Sequence, residues 1–520
     1  MHLAELKLQL VAIALLFCLV NGQDDGEKSH STSVAGMVDL LKLETLLVEN
    51  LSNYADELEK KLQTVRSFVH DMRNENNKAK SQTEHYLANP LNAFSLIRRM
   101  HEDWTHWQHY MEQPVGVTQV EYLKANRELL PSSTDLEEAA DSIHRIVGTY
   151  DIQVSNMVKG LLNGKQYNVS MSALDSYAMG KYHYDQQNFG YASQWIFQAI
   201  DWLTAVHHKL PLPLDLDRSE VLLLYAESLI QMNRYGDALK VINSAITYRT
   251  DKVKLLLRKS EVETLIRMEP KVLPKPFVKQ QVGPYEIGCR GQFPIKSQLH
   301  CLYNSTNSPF LRLAPLKMEL VGLDPYMVIY HDVISPSEIL ELQSLAGPTL
   351  KRATVYQHAT GRNSVVKTRT SKVTWLPDIS SPLTVRLNKR ISDMTGFDLN
   401  GSEMLQMMNY GLGGHYDKHY DFFNSSTATE LTKLNGDRIA TVLFYLSDVE
   451  QGGATVFPNI ERAVFPKKGA AIIWYNLKHD GEGDTRTLHA ACPVIVGSKW
   501  VCNKWIRERE QLFRRPCLKI

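Results

Sequence analysis

This 520-residue chain has six cysteines, no excess of either charge and, beyond its first twenty residues, no long apolar run. Each shortage excludes something. Lysine and arginine number 58 against 57 aspartate and glutamate, so the charge balance offers no polybasic surface for nucleic acid or for a membrane. The apolar run Leu10–Val20 is too short to span a bilayer. Followed by Asn21-Gly22 it reads as a secretory signal, residues 1–22, cleaved near Gly22, and no membrane span is expected in the remainder. Cys18 would leave with that signal. The five that stay, Cys289, Cys301, Cys492, Cys502 and Cys517, cannot all pair, and an oxidising lumen then implies two bridges and one free thiol. The terminal Cys-Leu-Lys-Ile is no retention signal for the endoplasmic reticulum, so a lumenal resident would need a partner to hold it there.

The length is too great for one ordinary domain and suggests about three. From Met37 to Leu62 there is no glycine or proline. Leu40, Leu43, Leu47, Leu51, Tyr54, Leu58, Leu62, Val65 and Val69 recur there at spacings of three and four, which predicts one long amphipathic helix. Such a stripe packs within its own chain or forms a seam between two chains. Further on, Phe189-Gly-Tyr-Ala192 with Ala199-Ile200 recurs as Tyr235-Gly-Asp-Ala238 with Ala245-Ile246. Aromatic-Gly-x-Ala across a helix–turn–helix is the packing signature of tetratricopeptide-like repeats. Tyr177, Tyr182, Tyr184, Tyr191 and Tyr225 fall in this unit, either as core aromatics or as the lining of a groove for a polyproline-II peptide. Residues 253–325 are basic and proline-bearing and read as a linker. Sequons occur at Asn50, Asn168, Asn304, Asn400 and Asn424.

The last hundred or so residues carry the chemistry. His415-Tyr-Asp417-Lys-His419-Tyr-Asp421 holds two His-x-Asp pairs, and a third ligand could come from His479 or His489. Residues two apart on a strand share a face, so either pair could grip one metal, and a distant histidine would complete the two-His, one-carboxylate triad of non-haem Fe(II) oxygenases. The first pair follows Gly411, Gly413 and Gly414, where the chain is still turning, and His479 precedes the polar run Asp480–Asp484. His489 opens an apolar strand. This context leans toward His419, Asp421 and His489. Most histidines ligate nothing, but the β-rich runs Arg438–Leu446, Gly452–Pro458 and Gly469–Tyr475 lie between these ligands, divided by turn residues. Lys499 follows His489 by ten residues and shares a strand face with Val501, Asn503 and Trp505.

Tyr410-Gly-Leu-Gly-Gly-His-Tyr-Asp-Lys-His419-Tyr-Asp421-Phe, Gly452-Gly-Ala-Thr-Val-Phe-Pro458, Trp474-Tyr-Asn, His489-Ala-Ala-Cys-Pro493, Lys499-Trp-Val-Cys-Asn-Lys-Trp505 and Phe513-Arg-Arg-Pro-Cys517 stand in that order. The set resembles the catalytic domain of collagen prolyl 4-hydroxylase alpha subunits. The resemblance implies His419, Asp421 and His489 as ligands of Fe(II), with Lys499, Tyr410 and Thr455 holding 2-oxoglutarate and Arg438 and Trp505 near the peptide substrate. Lysine at 499 separates this family from lysyl and oxygen-sensing prolyl hydroxylases, which generally use arginine. Lys418 departs from the family pattern, which often has proline there. The resemblance also implies O2 and ascorbate, the pairs Cys289–Cys301 and Cys492–Cys517 with Cys502 free, and a tyrosine-lined domain that binds the peptide. It implies protein disulfide isomerase as beta subunit in an α2β2 tetramer, self-association through the N-terminal helix, and residence in the lumen of the endoplasmic reticulum.

The expected architecture is multidomain α + β: a helical dimerisation region over 23–142, a tetratricopeptide-like domain over 143–252, the linker, and a double-stranded β-helix (jelly-roll) catalytic domain over 326–520. The expected reaction is hydroxylation of proline to 4-hydroxyproline in X-Pro-Gly sequences, coupled to decarboxylation of 2-oxoglutarate to succinate. Two other classes fit the same residues: a procollagen-modifying hydroxylase with another target residue, and a non-catalytic collagen-binding subunit or chaperone.

Overall fold

The computed structural model describes residue 30 and residues 33–205, 216–248, 252–268, 272–279, 281–294, 300–357, 362–364, 367–423 and 430–514. The signal segment, Asn424 and Cys517 lie outside them. The chain divides into two compact units, residues 36–132 and the remainder. Among the described residues no helix is long and apolar enough to cross a membrane.

The smaller unit is built on α1 (Val34–Ala79), the helix that the leucine spacing predicts, with α2 (Thr83–Ala88), α3 (Pro90–Arg98), α4 (Trp104–Glu112) and α5 (Val117–Ala125). The shorter helices cover one side of α1. Asn50 Nδ2 donates to the Gln119 carbonyl at 3.0 Å, Glu57 accepts from the Gly116 N–H at 3.0 Å, and Phe68 lies 4.4 Å from the Trp107 ring. Gly116 has φ +69, and a Cβ there would come within 1.9 Å of the Tyr54 ring, so only glycine fits this turn. Leu51, Leu58, Leu62 and Val69 remain exposed, an apolar row that this unit does not cover.

The larger unit begins with α6 (Ser133–Tyr150), followed by α7 (Val154–Val158), α8 (Ala173–Asp185), α9 (Phe189–Ala205), α10 (Arg218–Gln231), α11 (Tyr235–Tyr248) and α12 (Val253–Met268). The expected boundary at 142/143 is corrected, because it would cut α6 in two. This helix is tied to the β-rich part instead: Tyr150 donates to the Pro493 carbonyl at 2.6 Å, Arg145 to the Gly413 carbonyl at 3.0 Å, and Arg352 pairs with Glu138 at 3.0 Å. Ala192 and Ala238 are fully buried where consecutive helices meet, and a Cβ on Gly180 would lie 2.4 Å from Ile196. The two motif glycines behave differently. Gly190 is approached by Phe277, and Gly236 has nothing within 4 Å.

The expected linker is corrected as well. Val262 of α12 is fully buried with Leu229 and Ile242, which makes that helix part of the helical layer. After α13 (Pro284–Cys289), β1 (Cys301–Asn304) and β2 (Leu316–Leu323) enter the main sheet, so the β-rich fold starts well before residue 326. Proline and basic residues marked the turns of this stretch and masked the short elements between them. The further strands are β3 (Tyr326–His331), β4 (Lys351–Arg352), β5 (Lys372–Leu376), β6 (Leu405–Tyr410), β7 (Tyr416–His419), β8 (Arg438–Tyr445), β9 (Thr455–Phe457), β10 (Arg462–Val464), β11 (Ala471–Tyr475), β12 (His489–Ala491) and β13 (Lys499–Arg507). One nine-stranded sheet runs β1-β2-β3-β11-β8-β13-β6-β5-β4, and a four-stranded sheet runs β7-β12-β9-β10. Outward-facing residues of the large sheet pack with α14 (Pro336–Ala346) and α15 (Pro382–Thr395) through Leu342, Leu387, Phe444 and Ile506. On its other face Met408, Leu443 and Val501 join Phe457 and Val464 of the small sheet in one cluster.

The cysteine pairing is corrected. Cys289 is bonded to Cys492, with Cα atoms 5.6 Å apart, and Cys301 is free and exposed. Helix α13 packs on β9 and turns its last residue into the apolar cluster that holds Cys492, while Cys301 opens an edge strand. A twelve-residue spacing does not say which way that turn faces. Cys502 is a free, buried thiol, as expected, and burial pushes it up to about 12. The bridge closes a loop of 203 residues. Cys289→Ser should therefore cost about 2–5 kcal/mol in non-reducing unfolding, and an unchanged midpoint would contradict the bridge. Of the sequons, Asn168 and Asn400 are exposed and Asn50 is half-buried. Asn304 is 4 % exposed and its Nδ2 donates to the Tyr330 hydroxyl at 2.6 Å, so its expected glycosylation does not fit the folded chain.

Candidate active site

His419 and His489 face each other as register partners across β7 and β12. The register of β7 shifts between Tyr416 and His419, and the strand ends at His419. Asp421 follows in a bend, so the ligand pair is not set by regular alternation: a bulge and a turn bring the carboxylate back beside the histidine. His419 Nε2 is 3.6 Å from Asp421 Oδ1, and His489 Nε2 is 3.6 Å from Asp421 Oδ2. Facing ligand atoms of all three lie within 4.8 Å of one another, the only such cluster among the described residues.

The surroundings prepare these atoms for a cation. His419 Nδ1 is 2.8 Å from the Asp417 carbonyl and His489 Nδ1 is 3.0 Å from the Thr487 carbonyl. A carbonyl only accepts, so each Nδ1 carries a proton, and Nε2 is the atom each neutral ring would offer to a metal. Burial, helped by the neighbouring His489, pushes His419 down to about 3, which keeps its ring neutral. Burial opposes the charge on Asp421, but His489 and His419, whenever those rings carry a second proton, and the Arg438 guanidinium hold its carboxyl below the usual range. Thr441 donates to Asp421 Oδ2 at 2.7 Å and accepts from Asn476 Nδ2 at 2.9 Å. Two imidazoles and one oriented carboxylate are the donor set of a non-haem iron site, so these residues fit Fe(II). Thr441→Val should weaken iron binding about 10–100-fold with the strand intact, and unchanged affinity in a metal titration would remove Thr441 from this role.

The alternative ligands stand apart. His415 Nδ1 meets the Thr370 hydroxyl at 2.8 Å, and its partner Asp417 is half-exposed. His479 is exposed.

Lys499 opens β13 directly opposite Tyr410 on β6. Alternate residues of these strands and of β8 line one narrow cavity with the three ligands: Met408, Tyr410, Leu443, Lys499, Val501 and Trp505 among them. Lys499 is 1 % exposed, and among the described residues its Nζ has no hydrogen-bond partner. The Tyr410 ring lies 5.3 Å away, and burial pushes the amine down to about 7. A buried amine left unpaired is costly, and an acidic group entering the cavity would satisfy it. Thr455 lies in the same cavity and accepts from the Tyr445 hydroxyl at 2.8 Å.

Trp505 lines the cavity, while Arg438 stacks on its ring 3.8 Å from the centroid. The guanidinium is committed elsewhere, however. Its Nε and Nη2 donate to both oxygens of Glu403 at 2.6 and 2.7 Å, and its Nη1 donates to the Asp421 carbonyl at 3.2 Å. Sequence reasoning missed Glu403, Thr441, and Arg369, whose guanidinium lies 4.7 Å over the Tyr416 ring inside the cavity. Strand alternation with Leu443 and Tyr445 could have exposed Thr441; no local pattern marked the other two.

The five tyrosines separate. Tyr191 and Tyr225 line a groove of ≈ 590 Å³ with Phe197, Gln153 and Arg234. Tyr182 donates to Asp141 at 3.0 Å, Tyr184 packs edge-on to Phe189, and Tyr177 packs against the cluster around Ile196.

Residues 33–164 match the model of the prolyl 4-hydroxylase alpha-subunit N-terminal region, and residues 405–507 match the 2OG-Fe(II) oxygenase superfamily. Prolyl 4-hydroxylase subunit alpha-2 of Caenorhabditis elegans is 35% identical over 97% of this chain and 95% of its own length. The chain belongs to the prolyl 4-hydroxylase alpha-subunit family. Subunit alpha-2 of Gallus gallus is likewise 35% identical and subunit alpha-1 of Homo sapiens 34%, each over 94% of this chain and 95% of its own. The oxygenase match encloses all three ligands and Lys499, so this family member carries its metal set and its buried lysine inside one 2OG-Fe(II) oxygenase domain.

Proposed function

We propose that this chain hydroxylates proline to 4-hydroxyproline in collagen-like X-Pro-Gly sequences, using Fe(II), 2-oxoglutarate and O2. The observation that carries the reading is the unpaired Lys499 amine in the same cavity as the His419, Asp421 and His489 cluster. That pairing of features fits a dicarboxylate, one end beside the metal ligands and the other on the amine. Bound iron would activate O2, the oxidant: one oxygen atom would pass to 2-oxoglutarate, which would leave as succinate and CO2, and the other to the prolyl carbon. The protein's part is to bind, to orient and to keep water out. Lys499 neutralises the distal carboxylate, Tyr410 and Thr455 shape its walls, and Thr441 aims Asp421. Trp505, held by Arg438, forms the side of the cavity that a proline ring would meet. Ascorbate completes the set, as a reductant that would keep bound iron ferrous.

The catalytic domain is read as a double-stranded β-helix, because antiparallel sheets of nine and four strands share one core around the cavity. The α8/α9 and α10/α11 pairs are read as tetratricopeptide-like, with Tyr191 and Tyr225 offered to a polyproline-II peptide. The exposed Leu51, Leu58, Leu62 and Val69 row supports self-association through α1. Residence in the endoplasmic reticulum and an α2β2 complex with protein disulfide isomerase complete the proposal, on the signal-like segment and the alpha-subunit family.

The test is peptide hydroxylation by the chain co-expressed with disulfide isomerase, with and without Fe(II) and 2-oxoglutarate. Amino-acid analysis of a (Pro-Pro-Gly) peptide should find 4-hydroxyproline only when both are present. Hydroxylation of another residue would favour a different procollagen-modifying enzyme. No Fe(II)-dependent succinate would favour a collagen-binding chaperone.

A further inference from the structure

One wall of the groove lined by Tyr191 and Tyr225 is a stretch of the chain itself. Val272-Leu-Pro-Lys-Pro-Phe-Val-Lys279 follows α12 and forms neither helix nor strand. Pro274 and Pro276 fix their own φ and restrict Leu273 and Lys275, which holds this run in the polyproline-II range. Neither proline has an N–H. The donor between them, the Lys275 N–H, is spent on the Met232 carbonyl at 2.9 Å, at the end of α10. Asn233 Nδ2 reaches the Leu273 carbonyl at 3.4 Å. Phe277 sets its ring 5.0 Å from Tyr191, nearly perpendicular to it, and Lys279 pairs with Asp151. Phe277 and Lys279 thereby share the groove wall with Tyr191, Phe197, Tyr225 and Arg234.

Gly190 shows that the fit is specific. A Cβ there would fall 2.5 Å from the Phe277 ring, whereas the equivalent Gly236 in the second helix pair has open space. The glycine in Phe189-Gly-Tyr-Ala192 therefore accommodates this aromatic rather than a neighbouring helix. Yet the segment buries little. Leu273 is 81% exposed, Val278 79% and Phe277 40%. Among the described residues one backbone hydrogen bond, one bond from the Asn233 side chain, one aromatic contact and one exposed ion pair hold it, each a weak interaction in water.

We infer that residues 272–279 are a built-in cover over the Tyr191 face of the groove, a proline-bearing mimic that a proline-rich peptide must displace to reach that tyrosine. The inference rests on the reading that this groove takes such peptides. Its consequence is a raised apparent Kd: the Tyr191 face is free only in the fraction of molecules whose segment has left, and affinity falls by that fraction. Long repetitive peptides, which rebind before the segment returns, would overcome it better than short ones.

Two measurements on the full chain test this, neither needing turnover. In the first, labelled (Pro-Pro-Gly)10 is titrated against wild type and Phe277→Ser by fluorescence anisotropy. The variant should bind roughly threefold to tenfold more tightly. Equal or weaker binding by a variant with an unchanged melting profile overturns the inference. The second needs no variant. Amide exchange at Lys275 is followed in wild type with and without saturating peptide, and protection should fall when the peptide binds. Protection that stays or rises, or no peptide binding by either protein, also overturns it. Deprotection of Lys275 without any 4-hydroxyproline would leave the inference standing and defeat the proposed activity. Hydroxylation with Lys275 still protected would do the reverse.

Discussion

His419→Ala, Asp421→Ala and His489→Ala should each abolish Fe(II)-dependent succinate formation, lowering turnover by about a thousandfold or more. Losing a hydrogen bond to a ligand costs about 10–100-fold in metal affinity, and losing the ligand itself removes one of only three protein donors. The three positions also support one another. Cross-strand pairing sets His419 against His489, and Asp421 stands 3.6 Å from both. The informative control is His415→Ala. This histidine belongs to the other His-x-Asp pair, is 3% exposed, and meets the Thr370 hydroxyl. Its loss should leave iron binding intact and cost about 1–3 kcal/mol of stability through the unsatisfied partner. If His415→Ala lost iron and His419→Ala kept it, the site would have been placed on the wrong pair.

Lys499→Met should raise the KM for 2-oxoglutarate by roughly 30-fold or more while iron binding stays unchanged, since truncating one partner of a buried charge pair costs about 2–5 kcal/mol. Methionine keeps most of the side-chain volume, so the effect reads charge rather than a cavity. The free protein should tolerate the change or gain from it, because it no longer buries an amine without a partner. The pH dependence has a definite sign. Burial lowers Lys499 to about 7, well below an exposed lysine, so between pH 7 and the ordinary lysine range the unfolded chain binds the extra proton. The free wild-type protein should therefore gain stability as pH rises through that window, and Lys499→Met should flatten the slope. Co-substrate binding works the other way, because the carboxylate needs the cation. Above pH 7 binding should take up about one proton, measurable as buffer-dependent heat in calorimetry, and its affinity should decline. A pH-independent affinity would show that Lys499 is already charged in the free protein.

The parts legible in the sequence were those carried by short-range periodicity or by fixed spacing. The stripe from Leu40 to Val69 did become one helix, and the Lys499, Val501, Asn503, Trp505 alternation did form one wall of the cavity. The metal set was legible as residue types, although the alternation argument behind it was incomplete: β7 stops at His419 and a bulge supplies what a regular strand would not. What stayed hidden depended on long-range docking. Cys289 finds Cys492 across 203 residues because α13 packs on β9, and Asn304 is buried because β1 lies beside β2, with Tyr330 of β3 closing over it. Tyr177, Tyr182 and Tyr184 share a composition with Tyr191 and Tyr225, but helix orientation turns only the latter two into the groove. Glu403 holds both Arg438 and Arg507, and no nearby residue announces that clamp.

The most direct test of the central claim is a coupled assay on a (Pro-Pro-Gly)10 peptide, counting 4-hydroxyproline formed against succinate released. The structure predicts one of each per turnover, both dependent on Fe(II) and 2-oxoglutarate, and both lost in His489→Ala. Succinate without 4-hydroxyproline, or 4-hydroxyproline formed by the His489→Ala protein, would contradict it.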